Sequence, residues 1–181
     1  MVIIEECRMF NKIKAGVLCA AIMMPAPIAV QADTNEALEQ QKCIADNIYW
    51  EARNQTVKGM IGVALVTRNR VADSRFPNSY CDVVLEGPTR PTWRDPNVRI
   101  PVKHRCQFSW YCDGKPDIIP DYDRDLYTVA LAIAFRVYHG SFDDFTHGAT
   151  HYHATYVRPA WAKTKTRTTK VGRHIFYRWE K

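Results

Sequence analysis

The stretch NIYWEARNQ, residues 47–55, guides the interpretation of the fold, because it places an acid at the end of an apolar helical stripe. Ile44, Ile48 and Glu51 follow helical spacing, and Gln55 continues the same stripe. A carboxylate on the inner face of a helix costs free energy unless it is paired or has a function. Glu51 is therefore the first candidate for a functional residue.

Helical patterns account for much of the chain around this stretch. Residues 34–53 and 56–73 carry apolar positions at helical spacing and predict two helices separated by a short break. Gly59 and Gly62 lie in the second of these, where we expect them to let the first helix approach closely. Residues 121–139 predict a third helix, with aspartates at its positive end and a glycine directly after it.

The remaining sequence predicts loops and strands. Residues 74–120 contain seven prolines and little periodicity, which is typical of a long functional loop. HYHATYV, residues 151–157, and TTKVGRHIFYRWE, residues 168–180, are rich in β-branched and aromatic residues and predict paired strands. The cationic segment KTKTRTTK, residues 163–170, is expected to form a turn or a sheet edge. The predicted fold class is α+β, a mainly helical domain with a small antiparallel sheet near the C-terminus.

The first 32 residues differ from the rest and have the pattern of a secretory signal peptide. Lys12 and Lys14 precede an apolar run with two prolines, and small residues follow it, so cleavage after Ala32 is expected. An uncleaved membrane anchor is the alternative, although the run is short for a transmembrane helix. The sequence thus predicts a mature domain of residues 33–181, exported to the periplasm or cell envelope, without stable membrane insertion after cleavage.

The chain is basic, with a formal net charge of +6 at pH 7. A basic exported protein is attracted to anionic polymers such as cell-wall glycan, lipid headgroups or nucleic acid. The alternative is that mild basicity serves only solubility. Export and disulfide formation argue against nucleic acid as the partner.

Four cysteines remain in the expected mature domain: Cys43, Cys81, Cys106 and Cys112. An even number in an exported domain of this size predicts two disulfides, for which three pairings are possible. We favour Cys43–Cys81, which ties the start of one helix to the end of the next, together with Cys106–Cys112, which closes a local loop. A four-cysteine zinc site is the weaker alternative, because C-x-x-C pairs are absent from the sequence.

Glu51 has the setting of a general acid. Apolar neighbours raise the pKa of a carboxyl group, because they disfavour its charged form. Such a group can donate a proton near neutral pH, as glycosidic bond cleavage requires. The alternative is a structural salt bridge to Arg53 or to an arginine of TRNR, residues 67–70.

No partner acid for Glu51 is evident from the sequence. Glycoside hydrolysis usually needs two carboxylates, but Asp46 lies well around the helix, and Asp113 and Asp117 are distant loop candidates. A single acid suffices if the substrate supplies its own nucleophile. In peptidoglycan, the 6-hydroxyl of N-acetylmuramic acid can attack its own anomeric carbon and leave a 1,6-anhydro end.

Four segments together carry a family resemblance. They are IYWEARNQTVKGMIGVALVTRNRV, CQFSWYCDG, THYHATYVRPAW and VGRHIFYRW, and in this combination the chain resembles the SleB-type cell-wall hydrolases, the spore-cortex-lytic enzyme family. The likeness extends from about Cys43 to Trp179. It implies a lysozyme-like fold and cleavage of peptidoglycan glycan strands, in several members as lytic transglycosylases. The family's catalytic glutamate matches Glu51, whereas Asn54 and Gln55 stand where the family often has Gly-Glu.

The resemblance also implies substrate-binding residues. Gln107, Phe108 and Ser109 are expected to line the sugar cleft, because an amide and a hydroxyl bind polar sugar groups while an aromatic face stacks on a pyranose. A structural loop held by a disulfide is the alternative. Tyr152 is expected to bind the substrate or to orient Glu51. His174 is expected to do likewise, with a core histidine bonded to the backbone as the alternative.

These inferences predict an enzyme that cleaves peptidoglycan between N-acetylmuramic acid and N-acetylglucosamine, without a metal or other cofactor. In this hypothesis Glu51 protonates the leaving oxygen and then acts as a base toward the 6-hydroxyl. Hydrolysis by a water molecule, as in a muramidase, is the alternative within the same class. The oligomeric state is left open.

Two other classes of protein fit parts of the sequence. His151 and His153 would face the same side of a strand and, with His174 or His147, could hold the zinc of an amidase or peptidase. No H-E-x-x-H motif supports that interpretation. The third class is a non-catalytic glycan-binding module that uses the cationic segment and the aromatic residues.

Overall fold

The computed structural model of the chain describes residues 28–180, with side chains from residue 33 onward. The first helix begins at Ile28, six residues before the predicted start. Most of the predicted signal peptide lies outside the described residues, and its cleavage stays a prediction. No helix in the described part of the chain is long and apolar enough to cross a membrane.

Within residues 28–180, the longest elements are helical, and there are four α-helices. They are α1 (Ile28–Ala52), α2 (Val57–Val71), α3 (Tyr80–Val84) and α4 (Arg124–Tyr138). Thr56 caps α2 by accepting a hydrogen bond from the backbone N–H of Gly59 at 3.3 Å, which satisfies one of the free donors of the first turn. The three long helices match the predicted ones within a few residues at most ends, whereas α3 was missed inside the predicted long loop.

The helices α1, α2 and α4 enclose the main core. Ile44, Ile48 and Ala52 of α1 are fully buried with Val63 of α2 and Ala134 of α4. Their spacing along α1 is the apolar stripe that the sequence shows, so the face of α1 that ends at Glu51 is directed inward.

A small antiparallel sheet covers one side of the helices. Its strands are β3 (His151–Ala154), β4 (Thr166–Val171) and β5 (His174–Arg178), in the order β3-β5-β4. The cationic segment of the sequence therefore contributes an edge strand. In the register of β3 on β5, Tyr152 lies opposite Phe176. A separate pair, β1 (Thr89–Pro91) and β2 (Arg99–Pro101), forms a two-stranded hairpin in the middle region.

Both favoured disulfides are present. Cys43–Cys81 joins α1 to α3, and Cys106–Cys112 closes a six-residue separation around the start of a 3-10 turn, Ser109–Cys112. The first links the middle of α1 rather than its start, because α3 lies alongside that part of the helix.

The role expected for Gly62 was wrong. A Cβ atom at this position would lie 2.7 Å from Cζ of Phe176, so the glycine makes room for the sheet and not for α1. Phe176 is fully buried and its ring centroid lies 5.9 Å from that of Tyr152. Gly62 thus lets β5, and with it β3, pack closely on α2.

Candidate active site

Glu51 lies at the base of a cavity of about 170 Å³, which we call the cleft. The cleft is bounded by side chains from α1, α2, β3, the segment after β3, and the proline-rich residues 74–120, which we call the middle loop. They are Glu51, Arg70, Gln107, Phe108, His151, Tyr152 and Trp161. Elements distant in sequence therefore meet at the one carboxyl group that the apolar stripe directed inward.

Burial raises the pKa of Glu51, because the surrounding protein disfavours its charged form. The hydroxyl of Tyr152 donates a hydrogen bond to Glu51 Oε2 at 2.9 Å, and this bond and the nearby charge of Arg70 oppose the rise without cancelling it. Within residues 33–180, no arginine or lysine nitrogen lies within 4.0 Å of this carboxyl group. The alternative of a structural salt bridge therefore does not describe Glu51, and its partner is a neutral phenol.

Arg53, one of the arginines considered as a salt-bridge partner, packs elsewhere. Its guanidinium lies over the rings of Tyr49 and Trp50, at 5.3 and 5.2 Å from their centroids. It also donates a hydrogen bond to the Tyr49 hydroxyl at 3.3 Å. Arg53 is therefore held on the aromatic side of α1 and does not neutralise Glu51.

Arg70 is the cation of the cleft. It is only 5% exposed, its Nε donates to the carbonyl oxygen of Thr150 at 2.8 Å, and its guanidinium lies between the rings of Phe76 and Phe108. One of its terminal nitrogens, Nη1, is buried without a hydrogen-bond partner within the described part of the protein. A buried donor of this kind is costly unless a ligand uses it. Arg70 thus lines the cleft and keeps one N–H group whose hydrogen bond no described protein atom accepts.

Tyr152 is a hydrogen-bond donor that packs against His174. Burial and the neighbouring Glu51 carboxylate raise its pKa well above the usual value, so the phenol stays protonated and remains a donor. His174 packs against it, with ring centroids 4.9 Å apart, and is 6% exposed. Burial lowers the pKa of His174, so this ring is neutral near pH 7. His174 does not line the cleft, and its position is that of a support for Tyr152.

The middle loop contributes two of its three predicted residues to the cleft. Gln107 and Phe108 line it, whereas Ser109 begins the adjacent 3-10 turn and does not. Phe108 is only 3% exposed, and Arg70 covers its ring. Its face is therefore packed against protein and is poorly placed to stack on a sugar.

Three residues of the cleft were not predicted as substrate-binding residues: Arg70, His151 and Trp161. Trp161 is half-buried and packs against His151, with ring centroids 5.3 Å apart. Burial and nearby cations lower the pKa of His151 to about 4, so it is a neutral hydrogen-bonding group at pH 7. Trp161 ends the segment THYHATYVRPAW, and this aromatic residue after a strand was the signal that could have identified it.

No second carboxylate lines the cleft among the described residues. Asp46 accepts a hydrogen bond from the Tyr127 hydroxyl at 2.6 Å, and Asp113 accepts one from the backbone N–H of Lys115 at 2.7 Å. Partial burial raises the pKa of Asp117, and the nearby charges of Asp113 and Asp46 raise it further. The loop acids considered as partners for Glu51 thus belong to another part of the surface.

The predicted histidine pair does not meet a third ligand. His151 and His153 lie opposite Tyr177 and Ile175, whereas His174 lies opposite Ala154 and so occupies the other face of the sheet. Across residues 33–180, no group of three or more His, Cys, Asp and Glu side chains is arranged to hold a metal ion.

Solved structures with the same fold include two catalytic domains of SleB proteins. The domain from Bacillus cereus has 23% identity and a TM-score of 0.56, over 80% of this chain and 91% of that one. The domain of the germination-specific lytic transglycosylase SleB from Bacillus anthracis has 24% identity and a TM-score of 0.56, over 77% and 93%. The likeness confirms the predicted α+β fold. No curated protein sequence gives a significant match.

The family assignment comes from the sequence itself. A family model described as Cell Wall Hydrolase matches residues 54–177, which include every lining residue of the cleft except Glu51. Glu51 lies three residues before the matched segment, near the end of α1. The family and the two disulfides indicate an extracytoplasmic protein. The predicted resemblance is confirmed, and the chain belongs to the cell wall hydrolase family, whose members cleave peptidoglycan.

Proposed function

We propose that this enzyme is a lytic transglycosylase, which cleaves the bond between N-acetylmuramic acid and N-acetylglucosamine in the periplasm or cell envelope. The observation that carries the proposal is a single buried carboxyl group in a cleft without a second carboxylate among the described residues. One acid cannot supply both groups of ordinary two-carboxylate hydrolysis. It can serve a reaction in which the substrate provides the nucleophile.

In the first step, the protonated carboxyl of Glu51 gives its proton to the glycosidic oxygen. The bond between that oxygen and the anomeric carbon breaks, and positive charge develops on the muramic acid ring. The raised pKa of Glu51 favours its protonated form more than in an exposed glutamate, so more of the acid carries the proton that this step needs. As the carboxylate forms, the hydrogen bond from Tyr152 and the charge of Arg70 stabilise it.

In the second step, the Glu51 carboxylate accepts the proton of the 6-hydroxyl of the same muramic acid. The 6-oxygen forms a bond to the anomeric carbon, which closes the 1,6-anhydro ring and regenerates the acid. No water enters the balance of the reaction. The cleft is small, and the rings of Trp161 and Phe108 on its wall leave limited room for water beside the internal nucleophile.

Substrate recognition is assigned to groups with free hydrogen-bonding capacity. The Gln107 amide is exposed at the cleft, and the buried Nη1 of Arg70 has no protein partner among the described residues. Both suit the carbonyl oxygens of N-acetyl groups beside the scissile bond. Trp161 is better placed than Phe108 to contact a pyranose face, because it is half-buried instead of nearly inaccessible.

The second candidate is a hydrolytic muramidase. Gln107 is exposed and could hold a water molecule, so hydrolysis would use the same acid and the same bond. Mass spectrometry of the soluble products separates the two reactions, because an anhydro end is one water lighter than a reducing end. We expect anhydro-muropeptides from purified peptidoglycan. Products with only reducing ends would refute the transglycosylase and favour the muramidase.

A further inference from the structure

The chain carries a second exposed feature that the proposed chemistry does not use. We call residues 88–105 the arm, a segment that contains β1 and β2. It holds five arginine and lysine residues and one acid, Asp95. Its tip presents Trp93, which is 86% exposed. Such a concentration of cations beside an exposed aromatic side chain is typical of a binding surface and not of a structural hairpin.

The base of the arm is fixed to the loop that forms the cleft. The backbone N–H of Gln107 donates to the carbonyl of Glu86 at 2.9 Å, and that of Val102 donates to Pro88 at 2.8 Å. A Cβ atom on Gly87 would lie 3.0 Å from the backbone of Cys106, so the two segments touch at a glycine. The base of the arm therefore packs directly against the segment that carries Gln107, the predicted sugar-binding residue.

Gln107 connects the cleft to the base of the arm, and we call the surface from the cleft past Gln107 to the arm the groove. Gln107 lines the cleft on one side and a second cavity of about 520 Å³ on the other. The walls of that second cavity come from the base of the arm and the disulfide loop: Glu86, Gly87, Pro88, Arg105, Cys106 and Gln107. A further cavity of about 560 Å³ lies on the arm itself, between Trp93 and Ile100. A polymer that leaves the cleft past Gln107 therefore meets the base of the arm.

The cations of the arm are available to a ligand. In the described part of the chain, none of its five arginine and lysine side chains has a carboxylate oxygen within 4.0 Å. Arg94 lies over the Trp93 ring at 4.9 Å, and Arg99 bonds only to Thr89 across the hairpin. Among the residues that line the second cavity, Glu86 is the acid, and its charge interacts with that of the buried Arg70. Asp95 is the acid that lines the cavity on the arm.

We propose that the arm binds the carboxylate-bearing stem peptides of the glycan strand that occupies the cleft. This inference rests on the proposed function for the identity of the strand. Stem peptides are attached to N-acetylmuramic acid and carry free carboxylates, which complement the unpaired cations, while Trp93 covers their apolar parts. The arm thereby selects peptide-substituted glycan over peptide-free glycan.

The test measures binding without turnover, so it does not depend on the cleavage mechanism. Uncross-linked glycan strands are attached to beads, either with their stem peptides or after an amidase has removed the peptides, and the inactive Glu51→Gln protein is co-sedimented with each kind of bead. We expect about three- to tenfold tighter binding to the intact material at low salt. Adding Arg90→Gln and Arg94→Gln should remove this difference. The matched control adds Arg167→Gln and Lys170→Gln, exposed cations of the edge strand β4, and should preserve it.

Equal binding of the parent protein to both materials would overturn the proposal, as would equal losses in the arm and β4 variants. Binding to vesicles of anionic phosphatidylglycerol is measured as a second part of the experiment. If the arm substitutions abolish vesicle binding but leave the preference for intact peptidoglycan, the ligand is a lipid headgroup and the proposal is wrong. Unchanged thermal unfolding of the variants excludes loss of fold. Failure of the proposed function would instead appear as absence of anhydro products, with the binding difference still measurable.

Discussion

The two ends of the groove are built in opposite ways. At the cleft, Glu51, Arg70 and Tyr152 come from three different elements, are largely buried, and constrain one another through a hydrogen bond and nearby charge. At the arm, the functional groups come from one hairpin, are exposed, and lack charged partners within the described chain. Proton transfer needs a fixed group in a dry setting, whereas recognition of a flexible charged polymer does not. The difference predicts where substitutions affect the chemical step and where they affect only binding.

The largest effect is expected at the buried end. Glu51→Gln removes the proton while keeping the shape, so kcat should fall by about 10²–10⁴-fold. Glu39→Gln, the same change on an exposed residue of α1, is the matched control and should be neutral. Release of soluble muropeptides from purified peptidoglycan measures both. Substantial cleavage by Glu51→Gln would show that Glu51 is not the proton donor and that the cleft is not the site of the chemical step.

The stability of the same variant provides an independent check. Because the folded-state pKa of Glu51 is raised, its protonated form favours the native state, and that contribution is lost as pH rises through the folded pKa. Gln has no such loss, so Glu51→Gln should be at least as stable as the wild type at neutral pH. Thermal unfolding across the pH range measures this, and a clear destabilisation near pH 7 would contradict the assigned shift.

The next largest effect is expected at Tyr152. Tyr152→Phe removes a hydrogen bond to a group that becomes charged in the reaction, so kcat/KM should fall by about ten- to a hundredfold. That bond lowers the pKa of Glu51, so its loss should raise the pKa and move the alkaline limb of the pH–rate profile to higher pH.

Tyr156→Phe is the matched control for this experiment, since Tyr156 is 82% exposed just beyond β3. It should leave both the rate and the pH profile unchanged. An alkaline limb that stays in place in Tyr152→Phe, despite a lower rate, would show that Tyr152 acts on the substrate and not on Glu51.

The two disulfides allow a comparison of stability between the regions. Cys43–Cys81 spans a separation of 38 residues and joins the helix of Glu51 to α3, so its removal should cost about 4 kcal/mol of unfolding free energy. Cys106–Cys112 spans six residues at the base of the arm, and its removal should cost about 2 kcal/mol. Denaturant unfolding of the paired Cys→Ser variants measures both. A larger loss of unfolding free energy on removing Cys106–Cys112 would contradict the view that the helix carrying Glu51 is the more strongly constrained region.

The smallest effect is expected from salt. Raising NaCl from low to about 0.5 M screens exposed charges over a few ångströms, so the preference for peptide-bearing glycan should shrink by a few-fold. The rate of cleavage of peptide-free glycan at saturation should change little, because Arg70 is buried and Glu51 is largely shielded by the surrounding protein. If the binding preference and the cleavage rate depended equally on salt, the charges of the arm and of the cleft would be equally screened, which contradicts this prediction.

The helical part of this fold could be predicted because its signals are local. The stripe through Ile44 and Ile48 fixes which face of α1 is buried, and with it the direction of Glu51. The middle region was less predictable, since α3 and the strands of the arm are only three to five residues long. Elements of that length have too few residues to show a period, and proline-rich sequence conceals them further.

The cleft was predictable only in part, because its remaining members depend on tertiary contacts. Arg70 was considered as a salt-bridge partner, but its position between Phe76 and Phe108 arises from packing that no local pattern shows. The packing of Gly62 against Phe176 is likewise a contact between a helix and a strand more than a hundred residues later. The roles of Gln107, Tyr152 and the other substrate-binding residues stay predictions.

The pairing of β3 with β5 has a consequence for how this enzyme responds to acidity. Histidines flank Tyr152 on both sides, so a slip of one residue in the ladder would present an imidazole to Glu51 in place of the phenol. An imidazole changes its charge in mildly acidic surroundings, whereas a phenol does not. Four paired residues at one sheet edge thus decide that the acid of this enzyme titrates beside a neighbour of constant charge.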